Sequence, residues 1–244
     1  MSGTASALDH VGVVVRNAAA AREAWREAGF APTPGGRIML RHGYIELLAQ
    51  DATKPSATLA AMLAQGEGAH VLSLRVADAD AAAARLGRAG FAAEVVENSR
   101  PGEAGGVARF RRVPLADALP RLQLIEHATP EAVWHPDLLD QPNGALALDE
   151  VVAVAAPPAG FAARLSRVAG RGLAPADGGF LLPLDRGAVR VLSPEAFSRL
   201  WPGAAPPGKL PRLAALVLRG AAARTIHFPG LELRVLSPGE AAPG

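Results

Sequence analysis

The chain has 244 residues, 50% of them hydrophobic and 20% charged, with a formal net charge of +2. That length and composition suit one large globular domain or two of ordinary size. With no cysteine, disulfides, thiolate metal sites and a cysteine nucleophile are excluded. Lys54 and Lys209 are the only lysines, and the arginines are scattered, so no basic arm for nucleic acid is present. No stretch reads as a signal peptide or nears the ~20 apolar residues of a membrane helix. The expectation is a cytoplasmic protein, monomer or homodimer, whose partner is a small-molecule substrate rather than nucleic acid or membrane.

In chain order, "LDHVGVVVRN" has the content of a strand, and "AAAAREAWREAGF" that of a helix stopped at Gly29. The turn residues "PTPGG" lead to two short strands, "RIMLR" and "GYIELLA", hinged at His42-Gly43. The same order then repeats. "AHVLSLRVAD" reads as a strand, and "ADAAAARLGRAGF" as a helix capped by Asp78 and ended by Gly90. "AAEVVE", "GVARFRRV" and "LPRLQLIEH" follow as strands. Both helices end in Ala-Gly-Phe, which returns Phe30 and Phe91 onto the sheet. A third copy runs through "LDEVVAVAAPP", "AGFAARLSRVAGRGL", "GGFLLPL" and "GAVRVLSP"; a fourth, "RLAALVLRG", "RTIHFPG" and "LELRVLSP", has lost its helix.

The Pro-rich "HATPEAVWHPDLLDQPNGA" separates the two pairs. The expected organisation is a module pair over 1–127, with modules at about 7–50 and 68–127. A connector at 128–146, degenerate third and fourth modules at 147–238 and a tail at 239–244 complete it. The fold class is α+β, with tandem βαβββ modules forming cupped mixed sheets whose equivalent positions face one cleft.

Several residues then become candidates for chemistry. His10 and His70 each stand directly before an apolar run, and Glu46 in "YIELL" matches Gln123 in "RLQLI". Two imidazoles with oxygen ligands suit a divalent transition metal such as Zn, Ni, Fe, Co or Mn. Glu126 competes with Gln123 as the fourth ligand; three residues apart, a regular strand cannot aim both into one cleft. In the third module the histidine position holds Glu150 and the last strand holds Arg190; the fourth keeps Glu232. That pattern argues against a second metal site. His42 is expected to face solvent in a hairpin turn, and His127 and His135 to bond backbone near the connector. Arg41, Arg75 and Arg109 are expected on exposed strand faces, or lining the cleft against an anionic substrate.

"LDHVGVVVRN", "GYIELLA", "RVADADAAAARLGRAGF" and the connector ending in "PNGA" together resemble the vicinal oxygen chelate superfamily, in its glyoxalase-like domain branch. The resemblance implies paired modules around a cupped sheet, often with a divalent metal on the cleft floor. Its metal positions fall on His10, Glu46, His70 and Gln123. The implied activity is a lyase or isomerase of the glyoxalase type, with substrate oxygens chelated and an enediolate stabilised. Glu46 or Glu126 would be the proton-moving base. An Fe-dependent ring-cleaving dioxygenase and a non-catalytic small-molecule binder on the same scaffold are the alternatives.

Overall fold

The computed structural model describes residues 3–115, 117–205 and 208–240. The first module contains β1 (Ala7–Val14), α1 (Ala18–Glu27), β2 (Arg37–Met39) and β3 (Tyr44–Leu48). A short α2 (Ala57–Leu63) leads into the second, with β4 (Gly68–Arg75), α3 (Ala79–Arg88), β5 (Val96–Pro101), β6 (Val107–Leu115) and β7 (Arg121–His127). After a connector with two single 3-10 turns come β8 (Ala145–Val154), α4 (Pro158–Ala169), β9 (Ala174–Ala176), β10 (Gly179–Pro183) and β11 (Ala188–Leu192). The short α5 (Pro194–Leu200) precedes β12 (Arg212–Gly220), β13 (Arg224–Phe228) and β14 (Leu231–Leu236). As the fourth copy's sequence implies, β12 turns into β13 with no helix between them.

All fourteen strands belong to one mixed sheet. In each pair the first strands of the two modules run antiparallel, β1 with β4 and β8 with β12. Each is flanked by the last strand of its own module, running parallel: β3, β7, β11 and β14. A parallel return needs a crossover, and α1, α3 and α4 supply it in the first three modules. The two pairs meet where Ala69 of β4 lies against Leu213 of β12.

Local signals set the helix ends. The side chain of Asn17 accepts from the Ala19 and Ala20 amides, and that of Asp78 from Ala81. Each satisfies orphan donors of a first turn. Gly29 and Gly90 end α1 and α3 at φ +81° and +84°, the left-handed geometry that favours glycine. The apolar faces converge on one core that spans both pairs, with Val11 and Leu72 beside Val151 and Leu216, covered by Trp25, Leu86 and Leu165. A Leu86→Ala cavity would cost ~2–5 kcal/mol.

Two irregularities decide where side chains point. Between β1 and β4 the register skips Asp9 on one strand and His70 on the other. Each is an extra residue in a β-bulge, which re-aims the chain locally. Two turns bind the halves together. In the β2–β3 turn the Arg41 amide donates to Leu146 O, and His42 O accepts from the Leu148 amide. In the β10–β11 turn Arg186 exchanges backbone bonds with Ser6 and Leu8. No helix among the described residues is long and apolar enough to cross a membrane.

Candidate functional site

His10 on β1, Tyr44 and Glu46 on β3, and Gln123 and Ile125 on β7 line one concave face of the first pair. Their alternation follows from strand pleating: His10 lies opposite Ser73, and Ser73 opposite Gln123. Arg37 from β2, Asn98–Arg100 from β5, and Phe110 and Arg112 from β6 complete a cup of about 180 Å³.

A continuous hydrogen-bond relay runs under the floor. His10 Nδ1 donates to Asp9 Oδ1 at 2.7 Å, which fixes the imidazole with its Nε2 as acceptor. Ser73 Oγ donates to that Nε2 at 2.8 Å, and Gln123 Nε2 donates to Ser73 Oγ at 2.6 Å. His127 Nε2 and Arg75 Nε both donate to Asp9 Oδ2, at 2.8 and 3.0 Å. Asp9 is fully buried, which by itself raises its pKa. The charge of His127 and the hydrogen bonds from His10 and His127 outweigh burial and hold the carboxyl well below the ordinary range. The Tyr44 ring stacks on His10 with centroids 4.5 Å apart. Burial, then the negative charges of Asp9 and Glu46, push its phenol up, so it stays protonated. The order Asp9, His10, Ser73 has the connectivity of a hydrolytic triad. Ser73, however, is completely buried and absent from the cup lining, so it secures His10 rather than meeting a substrate.

Charge on the cup wall is mostly positive. Arg37 forms ion pairs with both Glu46 and Glu103. Burial lowers its pKa, but those two carboxylates reverse the shift and raise it. Arg112 donates to Asn98 Oδ1 at 2.7 Å and to Gln123 Oε1 at 3.2 Å. No carboxylate pairs with Arg112 among the described residues. Burial and the neighbouring Arg121 lower its pKa, so a ligand anion would relieve its environment.

His10, Glu46 and Gln123 therefore share one cavity, but His70 does not join them. The register that superposes Gly29-Phe30 on Gly90-Phe91 sets His70 against Asp9, and Val71 against His10. His70 Nε2 bonds the Gly66 carbonyl at 2.8 Å in a buried pocket. Burial lowers its pKa, the Gly66 bond partly offsets this, and Arg212 lowers it further. Glu126 points away as well: its carboxylate accepts from the Ala79 amide at 2.8 Å, at the start of α3, and from Arg111 at 3.3 Å. It sits on the opposite face of β7 from Gln123, as alternation requires, and is a helix-capping group. His127, expected to bond backbone near the connector, instead bonds Asp9 and packs edge-on against Trp134 at 4.7 Å.

The donor set does not fit a divalent ion. His70 is elsewhere, Arg37 holds the Glu46 carboxylate, and Arg112 occupies the amide oxygen of Gln123. Among the described residues no group of three or more His, Asp or Glu side chains is arranged to hold a metal. Arg112, which has no carboxylate partner among the described residues, suits an anion instead. Asp9, Ser73, Tyr44, Arg37 and Arg112 were not among the candidates read from the sequence. The one available signal was parity, since His127 shares a strand face with Gln123.

The second pair has closed the corresponding face. Glu150 and Arg190, at the places of His10 and Glu46, form a buried bidentate pair at 2.7 and 2.9 Å. Glu232 on β14 is bonded by His227.

The profile of the glyoxalase-like domain family matches residues 8–169, about two thirds of the chain. The chain belongs to that family, and with it to the vicinal oxygen chelate superfamily. No curated protein matches the sequence. Among solved structures, a hypothetical protein from Staphylococcus aureus is 12% identical, with 94% of this chain and 98% of that one covered at a TM-score of 0.69. A fusion of a xylose isomerase-like TIM barrel with a 4-hydroxyphenylpyruvate dioxygenase is 14% identical over 91% of this chain and 38% of that one, at a TM-score of 0.56. A methylmalonyl-CoA epimerase variant from Streptomyces coelicolor, in complex with 2-nitronate-propionyl-CoA, is 23% identical. That match covers 51% of this chain and 99% of that one, at a TM-score of 0.39.

Proposed function

We propose that the cup binds a small oxygenated carboxylate and moves a proton on the carbon beside its carbonyl, as an isomerase or lyase does. The observation that carries this reading is the juxtaposition of a carboxylate, an oriented imidazole and Arg112 on one small cavity. Arg112 would seat the substrate carboxylate, whose bidentate geometry a guanidinium matches. Glu46 would take the proton, because its carboxylate lines the cup while Arg37 fixes its position. Glu46 would then hand the proton back, while His10, held by Asp9 with Nε2 as an acceptor, would take and return the hydroxyl proton of a 2-hydroxy substrate.

A second reading has its own support. Glu46 is already engaged by Arg37, and His10 Nε2 by Ser73, so both proton carriers are satisfied without a substrate. On that reading the cup only binds. Incubation with small 2-oxo and 2-hydroxy carboxylates in D2O, followed by proton NMR, separates the two. Catalysis predicts exchange of the proton beside the carbonyl, abolished in Glu46→Gln. Binding alone predicts saturable line broadening without exchange. Arg112→Ala is expected to weaken either outcome at least tenfold; unchanged affinity in that variant overturns the cup as the site.

A further inference from the structure

A second cavity, of about 300 Å³, opens at the seam between the two module pairs and shares no lining residue with the cup. Three guanidiniums and an imidazole surround it: Arg41, His42, Arg75 and Arg186. They come from three separate places in the chain. Arg41 and His42 ride on the β2–β3 turn, Arg186 on the β10–β11 turn, and Arg75 on the end of β4. The two turns are equivalents in "LRHGY" and "LDRGA", so His42 and Arg186 are counterparts that meet across the seam, 3.4 Å apart. Their backbones are fixed by the bonds to Leu146, Leu148, Ser6 and Leu8. Gly43, at φ +75°, closes the first turn, and a Cβ there would press within 3.1 Å of Asp9 O and of Leu148 Cβ.

The charge is only partly answered. Asp140 pairs with Arg41 at 3.1 Å, and Asp9 accepts from Arg75 from behind. Glu131 lines the rim. Arg186 lines the cavity, and its side chain has no carboxylate partner among the described residues. The crowding registers on His42, whose pKa is lowered by burial and then by Arg186 and Arg75. Three guanidiniums converging on a fixed frame, one of them without a carboxylate partner among the described residues, form a site to which an anion is drawn.

We propose that this seam is a binding site for a phosphate-type dianion, either free phosphate or the terminal group of a larger metabolite, held by Arg41, Arg75 and Arg186. A ligand there would share Arg75 with Asp9, so occupancy would reach the His10 relay without entering the cup.

Isothermal titration of the full chain with inorganic phosphate and with glycerol 3-phosphate, in a buffer free of both phosphate and sulfate, tests this. Wild type is expected to bind at least one of them, and Arg186→Ala to lose affinity tenfold or more. Arg112→Ala, in the cup, is expected to leave that affinity within twofold. Tighter binding of glycerol 3-phosphate marks a larger metabolite as the source, and equal binding marks free phosphate. If Arg186→Ala melts early, Arg186→Gln keeps the length of the side chain and removes only the charge. No binding by wild type, or binding unchanged in a folded Arg186 variant, overturns the seam site. Loss confined to Arg112→Ala would assign phosphate to the cup and overturn it as well.

Discussion

Replacing Asp9 with asparagine is the most exacting perturbation of the relay. The carboxylate is completely buried and accepts from His10, His127 and Arg75. Asparagine has nearly the same shape, but one oxygen becomes an amide that must face either His10 Nδ1–H or His127 Nε2–H, donor against donor. Charge-assisted bonds contribute ~1.5–3 kcal/mol each. The Arg75 side chain is 33% exposed, so solvent screening reduces its share to under ~1 kcal/mol. The sum is about 3–7 kcal/mol, and its lower half coincides with the ~3–5 kcal/mol that breaking a buried charged pair usually costs. Urea unfolding of wild type and Asp9→Asn at pH 7 measures it.

The pH dependence follows from the depressed pKa of Asp9. An unfolded aspartate titrates near ~3.9, and the folded one lower. The stability it provides is therefore complete above about pH 4 and lost as pH falls through the folded value. The gap between wild type and variant should be widest near neutrality and narrow in acid. A gap below ~1 kcal/mol at pH 7, or one that does not shrink on acidification, would refute the account of Asp9 as the charged hub.

Other substitutions separate the remaining residues. His70→Ala should cost ~1–3 kcal/mol through an unpaired Gly66 carbonyl, yet leave ligand affinity at the cup within twofold; a tenfold loss would place His70 in the site after all. Glu126→Ala should lower thermal stability by ~0.5–2 kcal/mol, as a lost cap does, without altering proton exchange on any carboxylate. Glu150→Ala should cost ~3–5 kcal/mol by leaving Arg190 buried and unpaired, whereas the double change of Glu150 and Arg190 to leucine should be close to neutral; equal losses from both would contradict a desolvated pair.

Periodicity and punctuation made most of the architecture readable. The strand-helix-strand order, the Ala-Gly-Phe endings and the absent fourth helix all rest on local rules of spacing and capping. Two short helices escaped. Seven-residue segments such as α2 and α5 carry too little periodicity to register, although Ser193-Pro194-Glu195 has the cap and first-turn residues of α5. The site was less legible because it depends on register. "LDHV" and "GAHV" look alike, and matching their histidines is natural. Aligning the modules on Gly29-Phe30 and Gly90-Phe91 makes Asp9, not His10, the counterpart of His70, and a one-residue slip sends a side chain to the other face. Glu46 and Gln123, on regular strands, line the same cup. Asp9, Arg37 and Arg112 gave no warning, because an acid beside a histidine or an arginine in a strand is common and only the folded sheet brings them together.

The stretch matched by the family profile stops at Ala169, where α4 ends. Yet α4 lays Phe161, Leu165 and Val168 into the same apolar interior as Val189 and Val191 of β11, downstream of that limit. Excising the recognisable part would strip the cover from half of that interior and leave β8 without both of its ladder partners. What is recognisable as a unit of ancestry is thus not a unit of folding, and heating the intact chain should melt it in one cooperative step.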